Sequence, residues 1–432
     1  MTLSEINLPG LDVRIAEWVS LNKDALIELT SSLIRQSTVN QIVDGTERES
    51  QLLLQDVMRQ WGLETELYSP EDVAGFREHP AYYPGKDYRH RPNVHGRHRG
   101  TGGGRSLLFS SHIDTAVVAP GWTSSPWEPY VREGRLYGLG SYDMKGGLAA
   151  SMMALRCIRE LGVPLAGDVI VESVVDEEFG GSNGTLAGRL KGIHADAAIV
   201  PEPTNLVVCP AARGGALWRL TFRGNTGLAF NGEEIHNPLF DAGRFLVFLE
   251  RHERERSRMP GPSPWYVEPA SLPIIPTRFE AGDLSAALCD VGPEVSLLDI
   301  WVECYPGVTE EELLRELVIG YQEMFGDTVA IPEFAKLIRF LPGSALPSDS
   351  PILETAIRHM QGVMNAPPIV RGAPFACDSF MFNLHSLTPA LIIGPSGANA
   401  HAADEFVDLE SLYRLTEIYA RIIVEWCGPR HD

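Results

Sequence analysis

Five short stretches of this chain place metal-binding or acid–base side chains directly after apolar runs. The first is Leu107-Leu108-Phe109-Ser110-Ser111-His112-Ile113-Asp114-Thr115. Its His and Asp stand two apart, so the carboxylate either accepts from one ring nitrogen while the other binds a metal, or joins the imidazole around one cation. The second, Gly138-Leu139-Gly140-Ser141-Tyr142-Asp143-Met144-Lys145-Gly146-Gly147, sets an Asp in a Gly-rich turn ahead of a helix. The third ends a continuous apolar strand on Asp176-Glu177-Glu178, and consecutive acids there are costly unless something neutralises them. The fourth is Ile199-Val200-Pro201-Glu202-Pro203-Thr204, and the fifth runs from Gly394 through His401 to Glu405. Taken singly, each has a plainer reading: an incidental His-x-Asp, an N-cap, a solvated acidic loop. Together they offer His, Asp, Glu, Glu and His with a spare Glu. That mixture of oxygen and nitrogen donors suits Zn²⁺, with Mn²⁺ or Co²⁺ as alternatives. A carboxylate shared by two such ions would make a two-metal hydrolytic centre.

The elements that must hold these residues follow from hydrophobic period and turn chemistry. Apolar residues at helical spacing predict one amphipathic helix near Asp12–Arg35. Thr46 with Glu49 reads as a capping box opening a second helix to about Trp61. Strands are expected at Glu64–Tyr68, Arg91–Arg99, Arg105–Ser110, Asp168–Val175 and Ala195–Val200, with Gly100–Gly104 read as a hairpin turn between the second and third. A helix is expected at Leu148–Leu161. Strands alternating with helices indicate an α/β domain, and the all-apolar strands indicate a sheet buried on both faces. The character changes near Ala212-Arg213-Gly214-Gly215. A strand at Ala216–Phe222, a helix from Asn237 to about Arg256, a strand at Val295–Glu303 and a helix at Glu310–Met324 form a β-α-β-β-α insert. The α/β pattern then resumes with a helix at Pro351–Met364, a strand at Pro389–Ile393 and a helix at Asp408–Trp426. The expected organisation is a discontinuous domain, 1–212 and 331–432, carrying an inserted α+β domain, 213–330.

A length of 432 residues calls for two domains. With 36 basic and 57 acidic residues the formal charge is −21, which argues against a nucleic-acid or anionic-membrane partner. No apolar run approaches a membrane span, and the first residues carry no secretory signal pattern. Ser69 to His90, rich in Pro, Gly and charge, reads as a surface excursion, and the basic stretch Tyr88 to Arg99 as a solvated loop. Cysteines 157, 209, 289, 304, 377 and 427 form no Cys-x-x-Cys pair, which favours a reduced, cytoplasmic protein with cysteines in its core.

The order and content of the motifs resemble the zinc amidohydrolase family of acetylornithine deacetylase, succinyl-diaminopimelate desuccinylase, aminoacylase and the glutamate-releasing carboxypeptidase. The resemblance is dense across His112–Gly147, including Trp122, Pro126 and Trp127, and again across Asp176–Thr204 and Ala376–Val407. It implies a zinc-peptidase-like catalytic domain with a mixed, mostly parallel sheet flanked by helices, and an insert that serves as lid and dimerisation domain of a homodimer. Carried over, it makes His112 and Glu202 ligands of one metal and Glu178 and His401 ligands of the other. Asp143 would bridge them, Asp114 would orient His112, and Glu177 would be the general base and proton shuttle. Asn237, His236 and Gly394 become substrate-side residues. The implied reaction is hydrolysis of an amide in an N-acyl amino acid or related small molecule. The alternatives are a specialised-metabolite amide hydrolase or amide-forming enzyme on the same scaffold, or a metal-binding relative that only binds a ligand or partner.

Two positions depart from that pattern. The family's lid His, which stabilises the oxyanion, is replaced by Leu228 in Gly224-Asn225-Thr226-Gly227-Leu228; His236, eight residues on, is either a relocated donor or simply a residue at a helix start. The lid Arg that grips a substrate carboxylate is replaced by Glu303. The metal-binding residues are complete, and the substrate-binding ones are altered.

Overall fold

A computed structural model of the protein describes residues 8–225, 232, 234–261, 264–267, 271–282 and 291–429. The chain divides into two compact units, one drawn from 1–211, 345–373 and 377–432, the other from 212–344 and 374–376.

The first unit is α/β. Its main sheet has six strands in the order Glu64–Tyr68, Asn93–His98, Val169–Val174, Leu107–His112, Ala197–Val200, Ala390–Ile392. The last four run parallel and the first two are antiparallel to their neighbours. Every residue of Leu107–His112, Val169–Val174 and Ala197–Val200 is buried, because helices cover both faces. On one face Phe109 meets Tyr419 of the helix Leu409–Cys427, ring centroids 4.9 Å apart. On the other, Glu172 accepts from Ser110 at 2.6 Å and from Arg189 of the helix Asn183–Leu190 at 2.7 Å, which satisfies a carboxylate inside the layer. The helix Leu409–Cys427 buries Leu412, Leu415, Tyr419 and Ile422, residues three to four apart on one stripe, with Ile423 beside them. Each such burial contributes roughly 1.5–3 kcal/mol.

Four local expectations are corrected. Residues 91–99 and 105–110 do not form a hairpin, because Val169–Val174 lies between the two strands. Gly100 and Gly104 serve a close approach instead: a Cβ on Gly100 would lie 2.5 Å from the Ala166 carbonyl oxygen, and one on Gly104 2.4 Å from the Gly167 nitrogen. The N-terminal helix is two helices, Leu8–Leu21 and Lys23–Ile34, broken where Asn22 donates its side-chain amide to the Trp18 carbonyl. Thr46 caps no helix; its hydroxyl donates to the Ser37 carbonyl, and the helix is Arg48–Gln60. The basic stretch is not a solvated loop at its start, since Tyr88 and Arg91 are almost fully buried, Arg91 with its charge taken by Glu47 at 2.6 Å.

A second, smaller sheet of this unit orders Gly397–Ala398, Phe406–Asp408, Arg135–Tyr137 and Tyr130–Arg132. It draws the loop carrying His401 and the turn carrying Asp143 to adjacent strand ends.

The second unit is α+β. Its antiparallel sheet runs Ile274–Ala281, Val295–Cys304, Gly214–Arg223, Glu333–Lys336. The helices Pro238–Arg256 and Glu310–Phe325 pack on it through Trp218, Leu220, Phe222, Phe245, Leu298 and Tyr321. Thr309 and Glu312 cap the second helix reciprocally at 3.2 and 2.8 Å, and Asn237 caps the first by accepting from Leu239 N–H at 3.0 Å.

Candidate metal centre and active site

Three parallel strands set the site. His112 ends Leu107–His112 opposite Val174, the acids 176–178 follow Val169–Val174, and Glu202 follows Ala197–Val200. All three lie past the carboxyl ends of neighbouring strands, where open α/β sheets form their crevices.

His112 is buried. Its Nδ1 lies 2.9 Å from the Asp114 carbonyl oxygen, which can only accept, so the proton sits on Nδ1 and Nε2 is the donor atom available to a cation. Nε2 is 3.2 Å from Asp143 Oδ1 and 3.7 Å from Glu202 Oε1. The other carboxylate oxygen of Asp143 faces His401, with Oδ2 3.4 Å from Nε2, and the same His401 nitrogen is 2.7 Å from Glu178 Oε2. Asp143 therefore stands between two imidazoles, one oxygen toward each. Donor atoms of His112, Asp143 and Glu178 lie within 4.8 Å of one another, as do those of His112, Glu177 and Glu202. The structure thus gathers His112, Asp143, Glu177, Glu178, Glu202 and His401, six residues spread over 290 positions of chain.

The charges in this cluster do not balance. Burial pushes the Glu202 carboxyl up to about 7 against the pull of His112, with Asp143 and Glu178 pushing further. Burial, and the charges of Asp378, Glu202 and Glu178, hold Glu177 well above the usual carboxylate range despite His112. The charge of Glu178, with help from Asp143, drives His401 up to about 12 in spite of burial. Burial would raise Asp143 too, but hydrogen bonds and charge from the two histidines hold it well below its ordinary value. Four carboxylates against two imidazoles leave excess negative charge inside the protein, which ordinarily forces protonation. Two divalent cations (+4) would neutralise four carboxylates (−4) with both histidines neutral, so the donor set fits a pair of metal ions.

The other expected residues stand as follows. Asp114 meets the His112 ring through its backbone carbonyl, while its carboxylate is 3.8 Å from Nδ1. Oδ2 of that carboxylate instead accepts the N–H groups of Glu177 and Glu178, each at 3.0 Å, and the Asn40 amide at 2.9 Å. Gly394 packs behind Glu202: a Cβ there would lie 1.8 Å from the Glu202 carbonyl oxygen. Asn237 and His236 belong to the second unit, where His236 Nε2 is 2.6 Å from Asp241. Glu303, also of that unit, is buried and ion-paired to Arg213 at 2.8 Å. Leu228 lies outside the described residues.

Sequence reasoning passed over Glu405, which accepts three backbone N–H groups of the Asp143 turn: Gly140 at 2.7, Tyr142 at 2.8 and Asp143 at 3.0 Å. It also passed over Asn40, and Asp378, whose charge acts on Glu177. A Glu four residues after a candidate ligand was the only available signal, and it does not distinguish a clamp from a solvated acid.

Carboxylates and histidines gathered at the strand ends of an α/β sheet, His401 at the exposed edge, make a donor set suited to divalent metal. The comparisons narrow it. The chain matches the profile of peptidase family M20/M25/M40 over residues 108–425. It is 28% identical, over 96% of its length and 97% of the relative's, to N-formyl-4-amino-5-aminomethyl-2-methylpyrimidine deformylase of Bacillus subtilis strain 168. Its fold matches the dipeptidase Dug1p of Saccharomyces cerevisiae with TM-score 0.72 at 12% identity, covering 97% of this chain and 99% of that one. It also matches YxeP of Bacillus subtilis, described as a dinuclear metal-binding peptidase, with TM-score 0.64 at 14% identity, covering 94% and 99%. The chain belongs to peptidase family M20/M25/M40, and its class is metal-dependent hydrolysis of an amide in an acyl compound.

Proposed function

We propose that this protein is a two-zinc deacylase that removes a small acyl group, formyl foremost, from the amine of an uncharged or cationic ring compound. The observation that carries the metal half is Asp143, with one oxygen 3.2 Å from His112 and the other 3.4 Å from His401. In this reading His112 and Glu202 would hold one ion and Glu178 and His401 the other, with Asp143 placed to serve both, and Co²⁺ or Mn²⁺ as alternatives. Bound ions of this kind lower the pKa of water and polarise an acyl carbonyl. Glu177 takes the proton that water gives up and returns it to the departing amine nitrogen, so amide plus water becomes amine plus carboxylic acid. Asp114 and Asn40 hold the turn on which Glu177 sits.

Two observations favour a substrate without a carboxylate. Glu303, standing where the resemblance places a carboxylate-gripping Arg, has its charge taken by Arg213. The deformylase relative at 28% identity acts, by its name, on a formylated aminomethylpyrimidine. Homodimerisation is proposed through the second unit, whose edge strand Ile274–Ala281 leaves Ile275 47% and Phe279 48% exposed. Among the described residues no helix is long and apolar enough to cross a membrane. A cytoplasmic location is part of the proposal, and the charge of −21 is what weighs against a nucleic-acid or anionic-membrane partner. The test is a panel of zinc-loaded assays comparing an N-formyl aminomethylpyrimidine with N-acetyl and N-succinyl amino acids. Formate release with a kcat/KM at least ~100-fold above that for the amino-acid amides is expected. Equal or better turnover of the amino-acid amides would overturn the substrate assignment.

A further inference from the structure

We infer that Lys86 and Tyr88, from the segment read in sequence as a surface excursion, and Arg91, from the basic stretch that follows it, form a buried positioning device for the turn that carries Glu177 and Glu178. The inference rests on the roles just proposed for those two residues. The device grips Asp176, the residue before Glu177. Asp176 is fully buried, and its backbone is left-handed, φ 68°, a conformation that costs a non-glycine residue energy unless its surroundings enforce it. They do. Lys86 Nζ is 3.0 Å from Asp176 Oδ1 and Arg91 Nη1 is 3.6 Å from the same oxygen. Tyr88 donates its hydroxyl to Oδ2, and the Asn40 amide lies 3.5 Å from Oδ1. Lys86 and Arg91 side chains are 3% and 1% exposed.

The grip is itself braced. Glu47 accepts from Arg91 Nε and Nη2 at 2.6 to 3.0 Å, and Gly45 leaves room for that pair, since a Cβ there would lie 2.5 Å from Glu47 Oε2. Tyr88 also receives the Asn183 amide at 2.9 Å. On the far side of the turn, Ser182 N–H donates to the Asp176 carbonyl at 2.6 Å, and a Cβ on Gly181 would strike the Asp176 carboxylate at 1.9 Å. Asp114 holds the next two N–H groups. The backbone of residues 176–178 is therefore fixed from both sides. Lys86 and Arg91 set two cations against Asp176 and Glu47, so the Asp176 carboxylate is not buried without a countercharge. A positional error there moves the proposed base and one proposed ligand together, whereas Glu202 and His112 stand on other strands.

That asymmetry supplies the test. Zn²⁺ binding to the full-length protein is measured stepwise by chelator competition in wild type, Lys86→Met, Tyr88→Phe and Lys86→Arg, with thermal unfolding recorded for each. The expected result for Lys86→Met is an affinity for one ion weaker by ~10-fold or more and for the other unchanged, the scale usual for loss of an outer-sphere partner. In parallel kcat on the best amide substrate falls ~10-fold at unchanged KM, and Lys86→Arg recovers most of both losses. Tyr88→Phe, which deletes only a hydroxyl, gives the same pattern more weakly and stands in if Lys86→Met does not fold. Unchanged affinity for both ions, or equal weakening of both, overturns the positioning role. A wild type that binds fewer than two ions, or a Glu177→Gln variant that keeps its activity, instead overturns the proposed function, and this inference with it.

Discussion

At the scale of single residues, the proposed function gives proton transfer to one carboxylate and metal binding to its neighbours. Glu177 shares a donor cluster with His112 and Glu202, yet has its own carboxyl held high by burial and by neighbouring acids. Such a group is suited to accept a proton and give it back. Glu177→Gln keeps shape and removes the proposed base. The expected outcome is a loss of ~10²–10⁴-fold in kcat with two ions still bound, read by steady-state kinetics beside metal analysis. Less than a tenfold loss assigns the proton transfer elsewhere. Asp143 is different in kind, because each of its oxygens faces a different histidine. Asp143→Ala is expected to abolish tight binding of both ions, which elemental analysis after gel filtration detects; retention of two ions excludes a bridging role.

At the scale of elements, the glycines of 100–104 and the last helix carry the sharpest expectations. Gly104 is pressed against the backbone at Gly167, so a methyl there has no flexible neighbour to displace. Gly104→Ala is expected to destabilise by about 1–3 kcal/mol, as overpacking does. Gly243, inside the helix Pro238–Arg256, meets nothing within 4 Å, and Gly243→Ala is expected to stabilise by about 0.5–1 kcal/mol. Chemical denaturation that gave both the same sign would contradict the packing described. The helices Pro351–Met364 and Leu409–Cys427 are tied by Glu425, which meets His359 at 2.8 Å and also pairs with Arg358. The hydrogen bond from His359, against burial and with help from Arg358, holds the Glu425 carboxyl down to about 2 from 4.5. Its folded pKa is depressed, so its stabilisation is present above about 4.5 and is lost as pH falls toward 2. The pair is partly exposed, and screening limits its worth to about 1 kcal/mol or less at pH 7. The stability gap between wild type and Glu425→Gln should therefore shrink between pH 5 and pH 3; a gap that widens in acid reverses the assignment.

At the scale of the whole molecule, the proposed metal sites and dimer make predictions about stability and mass. Ions that bind only the folded chain stabilise it by mass action, about 2.7 kcal/mol per site when free metal exceeds Kd a hundredfold. Zinc should raise the midpoint of thermal unfolding and EDTA should lower it, whether or not any substrate is found. An insensitive midpoint would speak against metal at the carboxylate cluster. The second unit presents an edge strand with exposed Ile275 and Phe279, and pairing of such edges is a recurrent route to two-fold dimers. Light scattering at micromolar concentration should return twice 47.5 kDa, and Ile275→Lys should shift it to the monomer.

The sequence alone determined the local chemistry. Apolar runs ending in His112, Asp176–Glu178 and Glu202 announce buried parallel strands with donors at their ends, since strand period and burial are written in neighbouring residues. The helices Pro351–Met364 and Glu310–Phe325 were legible to within a residue, because their hydrophobic periods are local. Local signals could not decide that Val169–Val174 would lie between the strands on either side of a Gly-rich turn, since glycine serves a turn and a close approach equally well. Nor could they show that Thr46 would donate to Ser37, or that Glu405 would clamp the Asp143 turn from 262 residues away. The excursion Ser69 to His90 and the basic stretch after it make the same point. Lys86, Tyr88 and Arg91 have the composition of a solvated loop, and only the tertiary fold brings the buried acids Asp176 and Glu47 that reverse their preference for water. A charged side chain is exposed or buried according to its partner, and a partner almost a hundred residues away leaves no local trace.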